Sequence, residues 1–148
     1  MAGSKSGAFS AEEKAAMKEA AAEAKRAKAA LGKEAEAQVC LDKIAAMAPA
    51  DRALAERVHE IVTTVAPELD VKTWYGMPAY AKDGKAVVFF QDAGKFKARY
   101  ATLGFQDNAA LDDGTFWATS FALVAIDDAV AAKIAELVKR AVGSVPPS

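Results

Sequence analysis

The sequence has one cysteine, Cys40, and one histidine, His59. A single cysteine excludes a disulfide or a thiolate metal cluster within the chain, and a single histidine excludes His-rich metal sites. Periodicity places Cys40 on the buried face of a helix, where we interpret it as an unreactive core thiol. His59 falls on the polar flank of the next amphipathic helix, and we interpret it as a surface residue. Without a reactive cysteine or histidine, catalysis could use only Tyr, Asp or Lys side chains, so little in the sequence supports an enzyme.

Long apolar runs and a strong net charge are also missing. No stretch approaches the roughly 20 apolar residues that span a bilayer, and MAGSKSGAFS has no apolar segment after its lysine. The net charge of −1, from 19 basic and 20 acidic residues, gives no overall field to attract nucleic acid or an acidic membrane. GxSxG, P-loop, GxGxxG, HExxH and CxxC motifs do not occur. We therefore expect a cytoplasmic protein with no cofactor that binds neither nucleic acid nor membranes.

The chain of 148 residues has the size of one domain, and 53% hydrophobic with 26% charged residues is typical of a globular protein. Ser10 and Glu13 form a predicted capping box at the start of an Ala/Glu/Lys-rich helix, which Gly32 is predicted to end. A short second helix follows at about 34–47. The predicted organisation is a disordered tail, an N-terminal helical extension, an α+β domain and a second disordered tail, at residues 1–9, 10–33, 34–142 and 143–148.

Downstream of this extension, a helix opening at Pro49 has an apolar face with a 3.6-residue period. From Asp70 the period changes to two, which predicts strands. The predicted strands are DVKTWY, a hairpin in AYAKDGKAVVFF, then KFKARYATLGF and TFWATSFAL. Asp127 is predicted to cap a last amphipathic helix. The sequence thus predicts an α+β fold, in which an antiparallel sheet of about four to five strands has helices packed on one face.

Residues 74–80, WYGMPAY, combine aromatic residues with Gly76 and Pro78, which predict a sharp break between two strands. We weigh two interpretations of this segment: a packed corner of the core, which we favour, and the wall of a ligand pocket. In the pocket interpretation, the predicted strand KFKARYATLGF presents a basic face of Lys95, Lys97 and Arg99 beside the aromatics. Phe96, Ala98 and Tyr100 alternate with these residues and are predicted to point inward. The predicted ligand-binding residues are Tyr75, Met77, Tyr80, Lys97, Arg99 and Tyr100.

The loop QDNAALDDG contains three carboxylates, Asp107, Asp112 and Asp113. Carboxylate oxygens are ligands for hard cations, so this loop is an alternative metal site. It lacks the spacing of an EF-hand, and Asp and Asn are also common in solvated loops because they bond their own backbone. We favour the solvated loop and keep the metal site as an alternative.

The segment WYGMPAY, followed by DGK, VVFF and KFK-x-RY-x-TLGF, resembles the YdhG-like family of small bacterial domains of unknown function. The resemblance extends from about Val39 to Val142, and FSAEEKAAMKE is similar to an extension of actinobacterial-type members. It implies an α+β fold and no established catalytic residues, so we expect a non-enzymatic module that binds a small molecule or a protein, as a monomer or weak homodimer. Some relatives are described as frataxin-like iron chaperones. The alternative function is therefore an iron(II) chaperone or buffer.

Overall fold

The computed structural model describes residues 10–143, without the side chains of residues 26 and 27. The predicted tails therefore lie outside the described residues, except for Gly143. The chain divides into two compact units, Met1–Glu34 and Ala35–Ser148. Along the described chain, the elements are α1 (Ala11–Ala45), α2 (Pro49–Val65), β1 (Asp70–Trp74), β2 (Met77–Lys82), β3 (Lys85–Gln91), α3 (Ala93–Phe96), β4 (Ala101–Phe105), β5 (Ser120–Leu123) and α4 (Asp128–Ala141).

The first helix is longer than predicted. The capping box is confirmed: the backbone N–H of Glu13 donates to Ser10 Oγ at 3.1 Å, and that of Ser10 donates to the Glu13 carboxylate at 3.4 Å. The prediction that Gly32 separates two helices is wrong, because α1 runs through it as one helix of 35 residues. Strong helix formers on both sides outweigh the cost of about 1 kcal/mol that one internal glycine imposes. Among the side chains of α1 that the structure describes, the buried apolar ones are Cys40 and Ile44, near its C-terminus.

The five strands form one antiparallel sheet in the order β1-β2-β3-β4-β5, which confirms the predicted α+β fold. The strand AVVFF lies at the centre of the sheet, as its continuous apolar run predicts. Residues of α2 and α4, such as Val62 and Val138, share a hydrophobic core with Tyr80, Phe90 and Leu103 of the sheet. One face of the sheet therefore packs against helices.

Two tight turns of the same kind connect the first three strands. Tyr75 (φ 50°) and Gly76 (φ 78°) join β1 to β2, and Asp83 (φ 52°) and Gly84 (φ 80°) join β2 to β3. Positive φ at both turn residues matches the twist of a two-residue hairpin. The break predicted within WYGMPAY is thus a hairpin turn confined to Tyr75 and Gly76, and the residues after it belong to β2. Pro78 lies opposite Thr73 of β1, and the ladder to β3 begins one residue later.

The segment KFKARYATLGF is not one strand, which corrects the prediction. Asp92 caps the short helix α3 by accepting the backbone N–H of Lys95 at 3.2 Å, and the regular strand β4 begins only at Ala101. Asp51, in the first turn of α2, is buried and accepts the N–H groups of Ala93 and Gly94 at 3.1 and 2.9 Å. These bonds hold the segment in a helical turn.

Because this segment is helical, the predicted basic strand face does not form. Lys95 lies in α3, and Lys97 follows it with φ 51°, a left-handed conformation that interrupts any extended alternation. Phe96 and Tyr100, predicted to point inward, are 52% and 38% exposed. A strand interpretation based on alternation alone fails here because Asp51, distant in sequence, satisfies the backbone in another conformation.

The C-terminal elements agree more closely with the sequence. Asp127 Oδ1 accepts the N–H of Val130 at 2.8 Å, which confirms the predicted cap of α4. The last strand is shorter than TFWATSFAL and leaves Trp117 outside regular structure. In the part of the chain that the structure describes, no helix has the length and apolar character needed to cross a bilayer.

Candidate functional site

The two faces of the sheet differ in whether their residues belong to the core shared with α2 and α4. Register places Tyr80 beside Val88 and Val88 beside Phe105 on the inner face, the face that shares the core with α2 and α4. Strand alternation places their neighbours Ala79 and Phe89 on the outer face. The outer-face residues are Asp70, Lys72, Trp74, Met77, Ala79, Ala81, Ala86, Phe89, Gln91, Thr102, Gly104, Ser120 and Ala122. None of these residues belongs to the core that the helices share.

Aromatic rings lie over small residues on this outer face. Phe89 pairs with Gly104 across β3 and β4, and a Cβ at position 104 would lie 2.2 Å from the Phe89 ring. The Phe89 ring therefore occupies the space that a side chain at position 104 would need. Trp74 continues the row, with its ring centroid 5.1 Å from Phe89 and 4.8 Å from Tyr75. The contact with Phe89 places the Trp74 ring on the outer face.

A cavity of about 290 Å³ opens beside Trp74 on this face. Its lining residues come from β1, from the turn between β2 and β3, from the first residues of β3, and from the loop after β4. They are Lys72, Trp74, Gly84, Lys85, Ala86, Gln106, Asp107 and Asn108. We call this cavity the outer-face cavity.

A bulge in the sheet positions the loop side of the outer-face cavity. The β2–β3 register shifts between Tyr80 and Ala81, which leaves Val87 as an extra residue in β3. The Val87 carbonyl accepts the N–H of Gln106 at 2.9 Å, and the Gln106 carbonyl accepts the N–H of Ala109 at 3.0 Å. These two backbone bonds hold residues 106–108 in a turn at the end of β4.

Asn108 carries an unusual polar atom in this loop. Its side-chain oxygen Oδ1 is buried and accepts no hydrogen bond from the described residues. Leaving a buried acceptor without a donor costs about 1–3 kcal/mol, so folded proteins rarely retain one. Asn108 lines the outer-face cavity with other atoms, because Oδ1 itself has almost no accessible surface.

The charges around the outer-face cavity are mixed. Lys72 and Lys85 supply ammonium groups, which only donate hydrogen bonds, and Asp107 supplies a carboxylate, which only accepts. Gln106 and Asn108 add amides that do both. The apolar part of the wall is Trp74, whose indole offers a large flat surface to a ligand.

The predicted ligand residues of the WYGMPAY segment occupy three different environments. Tyr75 is 81% exposed in the hairpin turn, Met77 is buried on the outer face, and Tyr80 is buried in the core. None of them lines the outer-face cavity or the two further cavities described below. The segment does contribute one cavity residue, Trp74. Trp74 belongs to the segment singled out in the sequence but is not one of the six predicted ligand-binding residues.

The other three predicted ligand residues lie between α3 and β4, where the predicted strand is absent. The Arg99 guanidinium lies 5.3 Å from the centroid of the Tyr100 ring, a local cation–π contact. Lys97 ends α3. These residues also line none of the three cavities, so the structure does not bring the six predicted residues into one site there.

Two of the three carboxylates of the predicted metal site line different cavities, and Asp112, which is half-buried, lines none of the three cavities described. Asp107 lines the outer-face cavity, whereas Asp113 lines a second cavity of about 200 Å³ with Trp117 and Arg140. Within residues 10–143, no group of three or more His, Cys, Asp or Glu side chains is arranged to hold a metal ion. Iron binding stays a prediction.

His59 and Cys40 lie near Tyr80 in the core. His59 is half-buried, which corrects its interpretation as a surface residue, and its Nδ1 lies 2.9 Å from the Tyr80 hydroxyl. Burial lowers the pKa of His59 below 6.5 and raises the pKa of the Tyr80 phenol. Burial also raises the pKa of Cys40 to about 11, against a smaller lowering by a hydrogen bond with the Ala79 backbone. The thiol is fully buried, as predicted, and protonated at neutral pH.

Two other cavities offer less to a polar ligand. In the second cavity, Arg140 is already engaged, because its Nη2 donates to the Leu111 carbonyl at 3.4 Å. A third cavity of about 310 Å³ is a groove between α2 and α4 with three alanines in its wall. Among these three, only the outer-face cavity combines an aromatic surface with lysine and amide side chains.

The sequence pattern indicates that two residues of the outer-face cavity lie on one side of the sheet. Lys72 and Trp74 alternate with apolar Val71 on β1, so the period of two places them together on the face away from the core. No local pattern connects them with Asn108, which reaches the cavity through the meander and the bulge at Val87. The sequence prediction missed the site for this reason.

Comparisons with protein-family models, with curated proteins and with solved structures gave no match. The resemblance to the YdhG-like family stays a prediction.

Proposed function

We propose that the protein is a non-enzymatic small-ligand binding module and that the outer-face cavity is its binding site. One observation carries the proposal: the wall of the outer-face cavity combines the indole of Trp74 with lysine and amide side chains. An aromatic surface with a few polar groups is the usual composition of a small-molecule site. Lysine, amide and indole groups are suited to holding and orienting a ligand.

The two tryptophans provide a direct test, because Trp74 lines the outer-face cavity and Trp117 lines the second cavity. The variant Trp117→Phe makes Trp74 the sole reporter of the proposed site, and Trp74→Phe is the matched variant that reports the second cavity. Ligand-detected NMR with free amino acids, nucleosides and small carboxylic acids identifies binders, which are then titrated by tryptophan fluorescence.

We expect binders to change the emission of Trp117→Phe and to lose affinity in Asn108→Ala and Lys85→Gln. Lys133→Gln, an exposed change on α4, is the control and should leave affinity unchanged. A full set without a binder, or binders indifferent to both cavity variants, would contradict the proposal.

A further inference from the structure

The two edges of the sheet differ in the charges that protect them. β1 and β5 are the outermost strands, so each has one side without a neighbouring strand in the described sheet. β1 carries Asp70 and Lys72, and charged side chains on an edge discourage pairing with a further strand. The segment around β5, GTFWATSFALVAI at residues 114–126, has no charged residue. We propose that the edge of β5 binds a second copy of this chain, which pairs its own β5 antiparallel to it.

Hydrogen bonding to β4 determines which backbone groups of β5 point outward. The N–H of Phe105 donates to the Thr119 carbonyl at 2.8 Å, so these two residues form a hydrogen-bonded pair. Alternation along the ladder then directs the backbone groups of Ser120 and Ala122 away from β4. Within residues 10–143, no hydrogen bond reaches these groups from the outer side, and both residues are exposed. Their N–H and C=O groups are therefore available to a further strand.

Exposed apolar side chains lie on both sides of this edge strand in the sequence. Phe116, before β5, is 93% exposed, and Val124, after it, is 78% exposed. All residues from 113 to 120 are exposed as well. A single exposed apolar residue is ordinary, but an uncharged, exposed apolar segment along a free strand edge is typical of an interaction surface.

The edge is complementary to itself, which favours a second copy over an unrelated peptide. A two-fold axis at Phe121 places Ser120 of each copy opposite Ala122 of the other, so each outward N–H meets an outward C=O. Phe121 then lies opposite Phe121 of the second copy, and cross-strand aromatic pairs stabilise a sheet. The antiparallel direction also brings Phe116 of each copy toward Val124 of the other. No like charges oppose each other in this arrangement.

Pairing through one short strand predicts a weak dimer. β5 has only four residues, so we expect an interface below the roughly 1,200 Å² of stable complexes. The corresponding dissociation constant lies between roughly 1 μM and 1 mM. β5 contributes no residue to the outer-face cavity, so dimer formation and ligand binding succeed or fail separately.

Sedimentation velocity of the full chain from about 1 μM to 1 mM measures the association. Amide hydrogen exchange, followed by NMR in dilute and concentrated samples, locates it. We expect the Ser120 and Ala122 amides to exchange more slowly in the concentrated sample, because the second copy accepts their hydrogen bonds. The Leu123 amide points toward β4 and should be protected in both samples.

Charge variants at the two outward residues test the two-fold pairing. Ser120→Lys/Ala122→Lys and Ser120→Glu/Ala122→Glu each place like charges across the axis, so each should associate at least about tenfold more weakly. An equimolar mixture of the two should form a heterodimer, because opposite charges then face each other. Ala53→Lys, an exposed change on α2, is the matched control and should leave the association unchanged.

Ala122→Pro tests the backbone bonds without adding charge. It removes an N–H that points away from β4, a position that an edge strand tolerates, and should also weaken the dimer by about tenfold or more. Protection of the Leu123 amide in every variant shows that β5 still pairs with β4.

Four results would overturn the proposal. The first is a chain that stays monomeric over the whole concentration range, and the second is a dimer that the edge variants leave unchanged. The third is a mixture of the Lys and Glu variants that does not associate although the unaltered chain does. The fourth is protection of the Ser120 and Ala122 amides in the dilute monomer, which would mean that another segment of the same chain covers the edge.

Discussion

The inner and outer faces of the sheet share one backbone and yet are built from different side chains. On the inner face, Tyr80 and Phe90 are large and buried beneath α2 and α4. On the outer face, Ala79 and Gly104 are small, and Phe89 lies across Gly104. The large inner-face residues belong to the core shared with α2 and α4, whereas none of the outer-face residues belongs to that core and the outer-face cavity opens beside Trp74. We infer that the inner face stabilises the fold and the outer face provides the binding surface.

The sharpest test of this comparison uses adjacent residues of β3. Phe90 is fully buried on the inner face, so Phe90→Ala should cost about 3–5 kcal/mol of unfolding free energy. Phe89 is only half-buried on the outer face, and Phe89→Ala should cost about 1–2 kcal/mol. Urea denaturation followed by tryptophan fluorescence measures both values. Equal costs would contradict the division between the faces.

Substitution of Gly104 tests whether the position of the Phe89 ring depends on the absence of a side chain at position 104. Gly104→Val should displace Phe89 and cost about 1–3 kcal/mol, because the first added carbon would lie 2.2 Å from the ring. The double variant Gly104→Val/Phe89→Ala should lose less than the sum of the two single changes, a coupling that a double-mutant cycle in urea detects. Additive costs would show that the ring and position 104 are independent.

The polar contact of the inner face predicts a dependence of stability on pH. Burial lowers the pKa of His59 in the folded protein, so the unfolded chain binds the proton more tightly. The stability contributed by neutral His59 is therefore complete above about pH 6.5 and is lost as pH falls through the lower folded-state pKa. Urea denaturation at pH 7.5 and pH 5 should show a smaller decrease for His59→Gln than for Lys133→Gln. Identical decreases would contradict burial as the cause.

The smallest effect is expected at the turn beside the outer-face aromatics. Tyr75 has φ 50°, a conformation that costs most residues about 1–2 kcal/mol, and Asn-Gly is the preferred sequence for such a turn. Tyr75→Asn should gain about 0.5 kcal/mol, because losing the ring contact with Trp74 offsets part of the relief. Thermal unfolding measures this gain. Asp83→Asn at the matching turn should change little, and a clear loss in Tyr75→Asn would mean that the ring contact dominates.

The elements that the sequence predicts correctly are those specified by nearby residues. Helices α2 and α4 follow from their apolar periods and from the Asp127 cap, and the second hairpin follows from Asp83-Gly84. The strand prediction for the segment around Lys97 is wrong, because Asp51 accepts hydrogen bonds from the backbone of Ala93 and Gly94, 42 and 43 residues away. Alternation of residue types carries no information about such a partner.

The candidate site was less predictable than the fold for a similar reason. The chemistry of tyrosines and basic residues favours them as ligand contacts, but Tyr80 is buried in the core and Tyr75 lines none of the cavities described. The cavity instead joins Lys72 and Trp74 to Asn108, a residue that no motif marks. Recognising it requires the register of three strands and the bulge at Val87.

The length of α1 has a spectroscopic consequence. Most of the described side chains of this helix are exposed, and the buried ones among them, Cys40 and Ile44, lie in its last turns. A helix without a buried face loses its structure gradually on heating, whereas a packed core melts cooperatively. Circular dichroism at 222 nm should therefore begin to decline before the tryptophan signal changes, and a single melting temperature fitted to the dichroism would underestimate the cooperativity of the sheet domain.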